Sequence, residues 1–151
     1  MNIDVRRIKV EDIFCAPNAK EIIDVYWKEC AVAPFGKANP DFAGYRQMET
    51  AGFLKAIGAF EGEKLVGGAF VLLTRIPHFS KMSAVAESLF VLPEARKKGA
   101  GTKLLQEIRA IAKESGAPGV FISAPVGSQL ERLGRAAGWQ NTNTVFFVES
   151  K

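Results

Sequence analysis

The sequence predicts an α+β (mixed α/β) protein with a central mixed, mostly antiparallel sheet flanked by helices. Three observations carry this. Two apolar, strand-like runs, 53–60 and 65–74, are separated by Glu61-Gly62-Glu63-Lys64, which reads as a hairpin. A further strand, 83–91, leads through a glycine-containing turn into an amphipathic helix and then a short apolar strand, a βαβ unit with a parallel pair. Helical periodicity dominates the segment before the hairpin.

The elements follow in order. Residues 3–10 alternate and suit a first strand. Asn18 is placed to cap a helix carrying Ile22, Ile23, Tyr26 and Trp27 at helical spacing. Gly36 and Pro40 punctuate a loop, and Asp41 can cap a second helix through about Thr50. The hairpin comes next, and Ile76-Pro77-His78 breaks its second strand. Strand 83–91 ends at Pro93. From Gly101 to about Ser115, Leu104, Leu105, Ile108, Ile111 and Ala112 share one helical face. Residues 120–124 read as a short buried strand, and 128–137 as a helix closed by Gly138. Residues 142–149 read as a final strand.

At 151 residues the chain fits one domain over 1–151. Apolar residues make up 48% and charged residues 24%, an ordinary globular balance. No apolar run approaches the roughly 20 residues of a membrane span, and no apolar signal core follows Met1, so a cytoplasmic protein is expected. The two cysteines, Cys15 and Cys30, have no metal-ligand spacing and read as free thiols in a reducing compartment. His78 is the single histidine, so a multi-histidine metal site is excluded and no metal is expected. The net charge of +4 is modest. Its basic residues Arg96, Lys97, Lys98 and Lys103 gather around glycines, which suits a local anion site better than an extended basic stripe.

The turn after Val91 is the most informative feature. A strand ends near Pro93, and Gly99 and Gly101 let the backbone turn tightly and approach a ligand. A helix begins there, so several N–H groups lack intrahelical partners and the helix dipole favours an anion. Leu104 stands where a dinucleotide fingerprint needs a third glycine, and no Gly-Lys-Ser/Thr triplet makes a P-loop. The bare pattern also fits an ordinary solvated basic loop.

The stretch Leu89-Phe90-Val91-x-Pro93-Glu94-x-Arg96-x-x-Gly99-x-Gly101 resembles the acetyl-CoA motif of the GNAT superfamily of N-acyltransferases. The likeness extends through Gly138-Trp139, and covers residues 83–139 well and the rest loosely. It implies a GNAT-like acyl-CoA N-acyltransferase fold, acetyl-CoA as cosubstrate, and transfer of an acetyl group to an amine in a ternary complex. It also implies that Phe90 and Val91 offer backbone to the pantetheine arm. The N–H groups from about Lys97 through Lys98, Gly99, Ala100 and Gly101 to Thr102 would hold the pyrophosphate, with Arg96 either beside them or orienting the loop.

The chemistry requires a neutral amine, an oxyanion donor and a proton for the leaving thiolate. Glu87 is the candidate base. By strict alternation it shares a face with Val85, Leu89 and Val91, where an acid is costly unless paired or functional; a structural carboxylate is the competing reading. The family's usual proton donor, a tyrosine four residues before the Gly-aromatic pair, falls on Gly134. The chain's tyrosines are Tyr26 and Tyr45, in the N-terminal helices. Ser123, Ser128 and His78 are weaker donor or base candidates.

The gap at Gly134 keeps a second reading alive, a catalytically degenerate acyl-CoA-binding module. A nucleic-acid-binding domain ranks last, because the aromatics are not interleaved with the basic residues. The acceptor is a small-molecule or peptide amine, with Trp27, Phe35, Tyr45 and Phe79 as candidate walls. No membrane partner is expected. Many members of the family form homodimers, which these residues neither require nor exclude.

Overall fold

The computed structural model describes residues 2–151. Strand β1 (Ile3–Ile8) leads into a short helix α1 (Val10–Phe14), then α2 (Ala19–Cys30) and α3 (Phe42–Thr50). The hairpin is β2 (Leu54–Glu61) and β3 (Lys64–Ile76), followed by β4 (Lys81–Val91), α4 (Ala100–Glu114), β5 (Val120–Ile122) and α5 (Gln129–Ala136). The strands form one sheet in sequence order. The pairs β1/β2, β2/β3 and β3/β4 are antiparallel, and β4/β5 is parallel. The α+β class and the mostly antiparallel sheet are therefore as expected.

Two cores form, one on each face of the sheet. Under α4, Leu104, Ile108 and Ile111 pack on Ile57, Val66, Val71 and Ala84. Leu104 and Ile108 have no exposed surface. Arg7 of β1 donates to Glu107 at 2.5 Å and to Glu114 at 2.7 Å, pinning the other edge of the sheet to α4. Those bonds hold the Arg7 guanidinium pKa up and the Glu114 pKa below the usual carboxylate range. The opposite face is aromatic. Phe14, Phe42, Tyr45 and Phe70 cluster with ring centroids 4.7–6.0 Å apart, backed by Ile13, Ile22 and Leu54.

Local chemistry explains most boundaries. Asp41 caps α3 by accepting from the Gly44 N–H at 3.0 Å. Ser128 caps α5 the same way, accepting from Glu131 at 3.1 Å. Asn18 does not cap α2. Its Nδ2 instead donates 2.9 Å to the Leu65 carbonyl, tying the helix start to β3. Helix α1 was not expected; Glu49 of α3 accepts from its Val10 N–H at 2.8 Å, a long-range bond that no local pattern shows.

Two expectations near the C-terminus also fail. The strand expected over 120–124 spans Val120–Ile122 and is half-buried rather than buried. The expected final strand over 142–149 is absent: this segment has no ladder, and Phe146 and Val148 are 81% and 84% exposed. Strand propensity needs an edge to pair with. The β5 edge is three residues long, and Phe147 packs instead against Phe35 at 5.6 Å.

Candidate active site

Strand β4 is paired on both sides only along its first half. Its parallel contact with β5 runs from Ala84 to Ala86, while its antiparallel contact with β3 continues to Val91. From Glu87 onward the edge away from β3 is therefore unpaired among the described residues. That is a slot of strand backbone, including Phe90 and Val91. Part of it is already used, since the Val91 carbonyl accepts from Arg96 Nε at 2.9 Å.

Glu87 sits where the slot opens, on a bulge. Phe70 pairs with Ser88 and Val71 with Ala86, so Glu87 is the extra residue. A bulge breaks the period of two and re-aims the side chains around it. Before it, Met82 and Ala84 pack under α4; after it, Leu89 and Val91 do. Glu87 therefore does not share the α4 face with Leu89 and Val91, and it is exposed rather than buried among apolar neighbours. It points to the aromatic face, where Tyr45 Oη donates to its Oε1 at 2.7 Å and Ser88 Oγ donates to its Oε2. Burial, with the Glu87 bond and charge adding to it, pushes the Tyr45 phenol pKa up. Tyr26 completes the cluster, with its ring edge-on to Phe90 at 6.4 Å. Burial pushes its pKa up to about 12, against a smaller opposing effect from the Ser88 hydroxyl.

The glycine turn lies at the far end of the slot. Pro93–Lys98 form a 3₁₀ turn, and Gly99 at φ +84° leads into α4 with no side-chain cap. The first α4 bond runs from the Lys103 N–H to the Gly99 carbonyl. The N–H groups of Ala100, Gly101 and Thr102 thus precede the ladder. A Cβ on Gly101 would meet nothing within 4 Å, so the fold leaves open space there. The cations are not equally free. Arg96 binds Glu29 as well as Val91, Lys98 pairs with Glu61 at 2.7 Å, and Lys103 Nζ donates to the Ile3 carbonyl at 2.6 Å. Lys97 is exposed and has no side-chain partner among the described residues.

The model of the acetyltransferase (GNAT) family matches residues 19–130. The chain belongs to the GNAT acetyltransferase family. Solved GNAT structures share the fold at low identity. An aminoglycoside acetyltransferase from an uncultured soil metagenomic sample is 16% identical over 100% of both chains, with a TM-score of 0.76. AAC(6')-Iy, in complex with the bisubstrate analogue CoA-S-monomethyl-acetylneamine, is 16% identical with a TM-score of 0.75, covering 100% of this chain and 99% of that one. A ribosomal-protein-alanine N-acetyltransferase from Brucella melitensis biovar Abortus 2308 is 15% identical over 99% of both chains, with a TM-score of 0.72. No curated protein matches the sequence.

Within this GNAT fold, Gly134 has a packing reason. A Cβ there would lie 2.8 Å from Cε3 of the Trp139 ring, so the indole fills the space a larger side chain would need. Of the weaker candidates, Ser128 lies at the start of α5, where its Oγ accepts the capping bond, Ser123 is exposed, and His78 lies in the turn between β3 and β4 beside Phe79. Trp27 and Phe35 line one groove of about 340 Å³ with Cys30, Val32 and Lys37. Tyr45 bonds Glu87 instead, and Phe79 is 71% exposed outside the groove. The bond from Tyr45 to Glu87 spans 42 residues, and the alternating pattern gave no sign of the bulge that makes it. Among the described residues, no three His, Cys, Asp or Glu side chains gather as metal ligands, and no helix is long and apolar enough to cross a membrane.

Proposed function

We propose that this acetyltransferase moves an acetyl group from acetyl-CoA to an amine by direct attack in a ternary complex. The observation that carries the reading is Glu87, aimed by a bulge to the mouth of the β4 slot and tied by both carboxyl oxygens. Acetyl-CoA supplies an activated thioester carbonyl. The chain's residues fit it. Unpaired backbone of β4 at Phe90 and Val91 suits the amides of a pantetheine arm, and the N–H groups of Ala100, Gly101 and Thr102 suit a pyrophosphate. Lys97 adds a free cation, and Lys98 can leave its exposed pair with Glu61 at little cost. Arg96 acts as a brace between β4 and α2 rather than a ligand.

Glu87 takes the proton that the amine releases as nitrogen bonds to the carbonyl carbon. Tyr45 and Ser88 keep its carboxyl facing the slot. The acceptor approaches from the side of α2 and α3, where the groove lined by Trp27 and Phe35 carries one charged side chain, Lys37. The two free cysteines, Cys15 and Cys30, fit a reducing, cytoplasmic setting.

Free CoA thiol released from acetyl-CoA across a panel of primary amines tests the reading. Tight CoA binding without turnover on any amine would favour the degenerate binding module, the alternative that Gly134 motivates. No CoA binding by calorimetry would sink both. The pyrophosphate position has its own check. Gly101→Leu should fold normally and weaken CoA binding at least tenfold, because the space the new side chain enters is open only until a ligand fills it.

A further inference from the structure

Resting on the acetyl-transfer reading, we propose that the acceptor is a zwitterion: a primary amine on an aromatic or bulky apolar body that also carries one carboxylate. That is the chemistry of a free amino acid with a large apolar side chain. The groove at the end of α2 would hold the body and Lys37 the carboxylate, while Glu87 receives the amine.

Local structure builds the groove. Trp27, Cys30, Val32, Phe35, Lys37 and Asn39 line a space of about 340 Å³, at the small end of ligand sites. Its loop wall is held in place. Ala33–Phe35 form a 3₁₀ turn, and Trp27 Nε1 donates to the Gly36 carbonyl at 3.0 Å. Gly36, at φ +73°, takes the chain out of that turn in a conformation that suits glycine. Val32 and Phe35 present apolar surface to solvent. Phe147 packs against Phe35 at 5.6 Å and extends the aromatic rim.

The groove adjoins the slot. Cys30 lies one helical turn after Tyr26 on the same side of α2, and the Tyr26 ring stands edge-on to Phe90 of β4. Arg96 ties the same end of α2 to the strand, since it binds both Glu29 and the Val91 carbonyl.

Charge decides the class of acceptor. Lys37 is exposed and has no side-chain partner among the described residues, and no carboxylate lines the groove. The acids nearby are engaged: Glu29 with Arg96, Asp41 with the Gly44 N–H and Glu149 with Lys151. Asp24 and Lys28 of α2 lie outside the lining. A polyamine or an aminoglycoside brings several ammonium groups. Glu87 receives one, and the others meet Lys37 with no acid to offset it, which selects against them. A zwitterion satisfies Glu87 and Lys37 together. The rings of Trp27 and Phe35 then favour a large apolar side chain over a small one.

The transfer balances. The amine nitrogen bonds to the thioester carbonyl carbon and gives one proton to Glu87. The carbon–sulfur bond breaks with its electron pair on sulfur, and the thiolate takes a proton from water. Glu87 returns its proton to solvent.

The test follows thiol release from acetyl-CoA with L-phenylalanine, L-alanine, 2-phenylethylamine and spermidine. Wild type should prefer L-phenylalanine in kcat/KM. Lys37→Gln should lower its preference for L-phenylalanine over 2-phenylethylamine about fivefold, the size of an exposed ion pair. Comparing that ratio between wild type and variant cancels the different basicities of the two amines. Phe35→Ala should lower the preference for L-phenylalanine over L-alanine about tenfold. Spermidine or 2-phenylethylamine preferred by wild type, or a ratio unmoved by Lys37→Gln, would overturn the acceptor class and leave the transferase reading standing. Wild type that releases no thiol with any amine would overturn that reading, and this one with it.

Discussion

The two faces of the sheet are built from different materials. Under α4 the core is aliphatic and fully buried, with Leu104, Ile108, Ile57 and Val71 in register with helix and strand periods. Across the sheet, Phe14, Phe42, Tyr45 and Phe70 pack as rings, and several are only partly buried. The polar cluster of Tyr26, Tyr45, Glu87 and Ser88 stands at the rim of that second face. One face supplies rigidity, and the other trades some burial for hydroxyl groups that can reach a carboxyl. The bulge at Glu87 joins them, because it lets one strand present Leu89 and Val91 to one face and an acid to the other.

This contrast breaks most visibly if chemistry is removed without touching the fold. Glu87→Gln should lower kcat by roughly 10²- to 10⁴-fold while the melting temperature hardly moves, because the side chain is exposed. A large fall in melting temperature would show that the carboxyl is structural. The aliphatic face should behave in the opposite way. Leu104→Ala opens a hole beneath α4 and should cost about 2–5 kcal/mol in urea unfolding, with kcat preserved in whatever stays folded. If kcat drops with stability unchanged, the division of labour between the faces is wrong.

Smaller effects sharpen the picture. Tyr45→Phe deletes one bond to Glu87 and should reduce kcat by roughly five- to tenfold, in line with about 1 kcal/mol for such a bond; an unchanged kcat would mean that Ser88 alone holds the carboxyl. The smallest change is expected at the sheet's far edge. Glu114 is held below its ordinary pKa chiefly by its bonds to Arg7, and Glu61 by Lys98. The folded state thus binds these protons more weakly than the unfolded chain. The stability they lend is full above the ordinary glutamate range and fades as pH falls through their lowered values. Urea midpoints should drop on acidification, and Arg7→Gln should flatten that dependence slightly. A steeper profile in the variant would contradict the sign.

Much of the fold was legible because its signals are local. The hairpin turn at Gly62, the stripe of Leu104, Ile108 and Ile111, the caps at Asp41 and Ser128, and the glycine turn at 99–101 each depend on a few neighbouring residues. The family resemblance rested on that same contiguous stretch, and the family match covers it. Local signals also misled. Thr142 to Glu149 has the composition of a strand and forms none, and Asn18 looks like a cap but bonds to β3.

The sequence by itself thus determined the α+β class, the βαβ unit, the anion-suited turn and Glu87 as the acid to watch. Only the tertiary structure decided what that acid faces. Its direction depends on one unpaired residue between two strands. Its partner Tyr45 comes from a helix 42 residues away, and its slot exists because β5 stops after three residues. These are outcomes of long-range pairing, which alternation and helical spacing do not encode. The same holds at Gly134, where the Trp139 ring occupies the space that a side chain would need.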